Sequence, residues 1–228
     1  MEFLIALSKI MMVNIILSGD NAVVIAMASR CLPSKQQKMA ILWGSAGAIG
    51  LRIILTIVAV VLLQIPYLQF AGGILLIWIA AKLLLEDNHC DDINASDSMW
   101  AAVKTIIVAD IVMSLDNTLA IAAIANGDYL LLAVGLGLSI PLIIFGSQIL
   151  VTIMNRFPII VYIGAALIAW TAGEMVNADP KIGVHIVEYT PHWLVPTIIT
   201  VAVVGYGYYA QKKRQREKAA HSEAEPEN

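Results

Sequence analysis

Asn14-Ile15-Ile16-Leu17-Ser18-Gly19-Asp20-Asn21 and Asp110-Ile111-Val112-Met113-Ser114-Leu115-Asp116-Asn117 are two versions of one phrase, set 96 positions apart. Both stand inside apolar runs long enough to cross a bilayer. An aspartate at the centre of a membrane helix costs roughly 2.5–3.5 kcal/mol on insertion scales, so an acid retained there is expected to serve a purpose. The likeness continues beyond the acids. Over 14–26 against 110–122, Ile15, Ser18, Asp20, Asn21, Ile25 and Ala26 recur as Ile111, Ser114, Asp116, Asn117, Ile121 and Ala122.

The rest of the composition agrees with a membrane chain. Of 228 residues, 59% are hydrophobic and only 14% charged, against roughly 25% charged in soluble domains. A net charge of −3, with no basic aromatic groove, gives no reason to expect a nucleic-acid partner. Cys31 and Cys90 are too few and too poorly spaced for a disulfide framework or a thiolate zinc site. Ala26-Met27-Ala28 mimics a signal-peptide cleavage site, but Met1-Glu2-Phe3 supplies no basic start. The first apolar run also carries the repeated phrase, so it is expected to be retained.

Seven runs are long enough to span: 4–29, 39–64, 67–85, 100–125, 129–153, 158–177 and 193–210. None shows the period-2 alternation of a barrel strand, so all are expected to be helices. The third, short and bounded by Pro66 and Glu86, is the expected site of any irregularity. Arg30, Lys35 and Lys38, and the tail's Lys212, Lys213, Arg214, Arg216 and Lys218, place the 30–38 connection and the C-terminus on the cytosolic side. Seven spans then leave the N-terminus outside. The segment 211–228 reads as a cytosolic tail, basic then acidic, and disordered from about Ala219.

At an offset of 92, Pro66, Gly72, Trp78 and Asp87 match Pro158, Gly164, Trp170 and Asp179, and Lys82 falls opposite Glu174. Residues 4–85 and 100–177 therefore read as three-span repeats, with 193–210 as an extra helix. Three is odd, so the second copy is inverted relative to the first. Carriers built this way place their site between the repeats near mid-membrane.

Helical spacing puts Asn14, Ser18 and Asn21 on one stripe and Asp110, Ser114 and Asn117 on its equivalent, with Asp20 and Asp116 beside them. Carboxylates, amides and hydroxyls form an oxygen-rich set suited to Mg²⁺, Ca²⁺ or Mn²⁺. The plainer reading, that Ser and Asn join helices, holds best for Ser18 and Ser114. Gly19 either loosens the helix beside Asp20 or makes a close contact, and its counterpart Leu115 makes any break asymmetric. Arg52 is deep enough to need an anionic partner, either as a static ion pair or as a counter-charge to an emptied site. Lys82 can reach the inner surface, whereas Glu174 is a further ligand, a proton carrier or an outer-interface residue. His89-Cys90-Asp91-Asp92, and His185, Glu188 and His192, are weak metal clusters of the kind usually solvated. Trp100, Trp193, Tyr67, Tyr189 and Tyr206 read as interfacial anchors.

Ser18-Gly19-Asp20-Asn21 with Ala22-Val23-Val24-Ile25-Ala26, and Ser114-Leu115-Asp116-Asn117 with Thr118-Leu119-Ala120-Ile121-Ala122, make the chain resemble the TerC family of bacterial membrane proteins. The stretches 71–78 and 157–166 support this, and the likeness covers roughly residues 3–210. The resemblance implies an all-α fold like that of the lysine-exporter superfamily in the bacterial cell membrane. It also implies export of Mn²⁺ as substrate, bound by Asp20 and Asp116 with Asn21 and Asn117 nearby. Asp110 stands where the first repeat has Asn14, and with Glu174 completes the candidate ligand set.

Two other functions compete with transport by alternating access. One is an accessory protein that supports the metalation or assembly of exported proteins. The other is an intramembrane aspartyl protease, but neither acid has the Gly-x-Gly-Asp or Tyr-Asp context such enzymes show. No cofactor is expected. The expected partners are a divalent ion and the bilayer.

Overall fold

The computed structural model describes residues 2–17, 19–62, 65–86, 95–125 and 128–224. Among these it is all-helical, with helices α1 (Glu2–Leu17), α2 (Gly19–Ser29), α3 (Ser34–Leu62), α4 (Leu68–Glu86), α5 (Ala95–Ala125), α6 (Tyr129–Arg156), α7 (Ile159–Ala178), α8 (Ile182–Tyr189) and α9 (Leu194–Ala224). Six helices are long and apolar enough to cross a bilayer, and α1 with α2 supplies a seventh span if the bent pair counts as one.

The irregular span is the first, not the third. The axes of Leu7–Asn14 and Gly19–Ser29 diverge by 52°, whereas α4 runs unbroken from Leu68 to Glu86. Pro66 lies ahead of α4 and therefore costs that helix nothing. The tail also differs from expectation, because α9 continues to Ala224. Its Gln, Lys, Arg, Glu and Ala residues are good helix formers and extend a helix already nucleated in the membrane. The short helix α8 has no counterpart in the span reading.

Helix directions follow from a few contacts. Ala40 clusters with Ala102 and Val103, a Cβ on Gly44 would lie 2.9 Å from Ile106, and Arg52 meets Asp110, so α3 and α5 run the same way. Gly135 sits against Leu7 and Ile10, while Met154 and Val23 both reach Gly164, so α6 follows the bent α1–α2 span. Helices α4 and α7 run oppositely, with Phe70 beside Asp179 and Gly73 beside Ala172 and Val176. A Cβ at Gly73 would stand 2.8 Å from the Ala172 carbonyl oxygen, so only glycine permits this approach.

Asp179 ties this end of the bundle together. It is 1% exposed and accepts hydrogen bonds from the N–H groups of Lys181 (2.9 Å), Ile182 (3.0 Å) and Phe70 (3.2 Å). Burial alone raises its pKa, but the N–H groups of Ile182, Lys181, Phe70 and Tyr67 outweigh it and hold the carboxyl below its ordinary range. Stability from a depressed carboxylate is fully present above its unfolded pKa, near 4, and is lost as pH falls through the lower folded value. Asp179→Ala is thus expected to lower the unfolding temperature in detergent, through orphaned N–H groups worth about 1–3 kcal/mol. The deficit at pH 7 should shrink as pH falls below about 4. A deficit constant with pH would show that the charge does not matter.

Cys31, in the connection after α2, is disulfide-bonded. The cysteine count and spacing had given no sign of this bond.

Two larger apolar clusters, beside the small one of Ala40, Ala102 and Val103, flank the interior. One is nearly all isoleucine, including Ile10, Ile25, Ile41, Ile49, Ile106, Ile121 and Ile143, and joins α1, α2, α3, α5 and α6. The larger joins α2, α4, α5, α6, α7 and α9. The polar residues of the repeated phrase lie among the first group of helices.

Candidate metal site

Asp20 stands in the first turn of α2, immediately after the break. There the N-terminal end of the helix favours its negative charge, and its Oδ1 accepts the Asn21 N–H at 2.8 Å. Opposite the break, the last turn of α1 ends at Leu17, and a helix end leaves carbonyl oxygens without intrahelical partners. A Cβ on Gly19 would meet nothing within 4 Å. Gly19 is therefore not a close-packing contact and leaves open space beside Asp20. Helix α5 runs through the equivalent region without interruption, as the Gly19 to Leu115 difference led one to expect.

Asn21 is 2% exposed, yet among the described residues its amide nitrogen and oxygen have no hydrogen-bond partner. Burying such a group unpaired costs about 1–3 kcal/mol. This buried acceptor and donor stand next to a carboxylate at a helix break.

A second polar cluster lies on the neighbouring helices. Arg52 of α3, 1% exposed, donates from Nη1 to Asn14 Oδ1 at 2.6 Å and from Nη2 to Asp110 Oδ1 at 2.5 Å. Asp110 Oδ2 accepts the Ser114 hydroxyl at 3.2 Å. Thr56 closes the helix beside them by donating to the Arg52 carbonyl at 2.7 Å. Asp20 lies within electrostatic reach of both Arg52 and Asp110. The anionic partner that Arg52 required is therefore Asp110, and the arginine also holds Asn14, the residue equivalent to Asp110 in the first half. The sequence signals for this were the Asn14–Asp110 equivalence and the depth of Arg52, but nothing local joined them.

The other sequence candidates are placed as follows. Asp116 is on α5, and its side chain lies outside the described residues. Asn117 is half-buried on the same helix. Glu174 is exposed on α7, on the outward stripe that also carries Ile163, Leu167 and Trp170, away from the buried Ala165, Ile168 and Ala172. It belongs to the surface of the bundle and not to the Arg52 cluster. His89-Cys90-Asp91-Asp92 lies outside the described residues, and His185, Glu188 and His192 are exposed. Among the described residues no three His, Cys, Asp or Glu side chains form a metal cage; Asp20 and Asp110 are two such residues on neighbouring helices.

Residues 1–216 match the family model described as the integral membrane protein TerC family. The chain belongs to the TerC family. This TerC chain is 44% identical over 216 residues to the membrane protein YjbE of Bacillus subtilis (strain 168), covering 93% of the chain and 99% of YjbE. It is 26% identical over 223 residues to the membrane protein YceF of the same organism, covering 92% of the chain and 84% of YceF. No solved structure matches it.

Proposed function

We propose that this TerC-family membrane protein is a secondary transporter that exports a divalent cation, Mn²⁺, by alternating access. The observation that carries this reading is Asp20 beside the buried, unpartnered amide of Asn21 at a break in an intramembrane span. Asp116 and Asn117 are their counterparts on α5. Together with the carbonyls at the end of α1, these groups supply oxygen ligands to a hard ion. The choice of manganese and the outward direction rest on the family likeness.

The packing supports a carrier made of inverted halves, comprising 4–85 and 100–177. The second span of each half lies along the first span of the other, and the two third spans are antiparallel. The bend between α1 and α2 is a hinge beside the ion, which alternating access requires.

Purified protein in liposomes tests the function. Mn²⁺ placed outside should enter and quench a trapped dye only in vesicles that contain the protein. Absence of flux from folded protein would favour the accessory reading instead.

The proposed location is the bacterial inner membrane, with the N-terminus outside and the basic tail in the cytosol. A reporter fused after Asn228 tests this orientation: a cytosolic signal supports it and an external signal overturns it.

A further inference from the structure

Resting on the site proposed above, we infer that the Arg52–Asp110 pair sets the charge of that site and hence its preference for a divalent ion. In this arrangement Asp110 is the counter-ion of the guanidinium and not a ligand. Both its oxygens are occupied, Oδ1 by Arg52 and Oδ2 by the Ser114 hydroxyl. Metal at Oδ1 would displace the buried arginine and leave that cation unpaired beside another cation, and metal at Oδ2 would compete with the Ser114 hydroxyl.

The two halves differ in a way that matches this role. The position filled by Asp110 in one half is filled by the neutral Asn14 in the other, and Arg52 holds both. With Asp116 joining Asp20 as the proposed site requires, Asp20, Asp110 and Asp116 bring three negative charges, and Arg52 returns one positive charge. A deficit of two remains, which a single divalent ion cancels. Asn14 is nearly the shape of an aspartate, so the charge of the cluster can be changed there without removing any contact of Arg52.

The experiment compares Mn²⁺ and Tb³⁺ binding to purified protein, reading the ratio of the two affinities. Asn14→Asp should move the ratio toward Tb³⁺ by roughly tenfold to a hundredfold, the order expected of one charge about 12 to 6 Å away at an effective dielectric of about 20. Asp110→Asn should move it toward Mn²⁺ by a similar factor. The double variant Arg52→Gln with Asp110→Asn should leave it near the wild-type value. A merely structural pair predicts no such opposition of sign. If Asn14→Asp and Asp110→Asn shift the ratio in the same direction, or Asn14→Asp does not shift it, the inference is overturned while the site stands. Complete loss of Mn²⁺ binding in Asp110→Asn, with the fold intact, would make Asp110 a ligand and also overturn it. Wild-type protein that binds neither ion overturns both the inference and the site. Asn14→Asp keeps an acceptor for the Arg52 Nη1 at position 14 and leaves Asp110 in place, so it decides the question even where Asp110→Asn fails to fold.

Discussion

Asp20→Asn is expected to reduce Mn²⁺ flux in liposomes at least about a hundredfold while the protein still inserts and folds. The substitution preserves shape and removes one charge. At ion–ligand distance, a carboxylate facing a divalent ion is worth several kcal/mol even at an effective dielectric of about 20, and about 2.7 kcal/mol already accounts for a hundredfold. Insertion should be unaffected or eased, since the substitution takes a charge out of the membrane. Asp116→Asn is expected to behave alike if the halves share one ion. Unchanged flux in Asp20→Asn would remove the break in the first span from the transport site.

The second large effect concerns stability. Arg52→Met leaves Asp110 buried with no guanidinium, and breaking a buried pair from one side costs about 3–5 kcal/mol. Combining Arg52→Met with Asp110→Leu removes the uncompensated charge and should recover most of the loss, because buried ion pairs contribute little net stability over apolar replacements. Thermal unfolding in detergent measures both. If the single variant unfolds at the wild-type temperature, Asp110 does not depend on Arg52. If the double variant is no better than the single, the defect lies in packing and not in the orphaned charge.

How much of this was visible in the sequence depended on whether the signal was local. The spans, the doubled Asp-Asn phrase and the uninterrupted α5 were legible, because each rests on apolar length or on a neighbour such as Leu115 in place of Gly19. The break was expected first at the short third span. Pro66 is the louder punctuation, but it precedes α4 and interrupts nothing, whereas the bend fell beside Gly19. The partner of Arg52 was illegible. Asp110 is 58 positions away, and only the packing of α3 along α5 brings them together. That contact also changes how Asp110 is read, from a carboxylate open to metal to one already held by Arg52 and Ser114. Glu174 stood out as an acid near a span end, but which face of α7 it occupies is set by the neighbours of that helix. Helix α8, eight residues long, was too short to register as a separate element between two spans.

Counting bound Mn²⁺ by electron paramagnetic resonance on purified protein tests the central claim most directly. The account predicts a single ion per wild-type chain, and none at the same free Mn²⁺ concentration on either Asp20→Asn or Asp116→Asn. A full ion retained by either folded variant would contradict it.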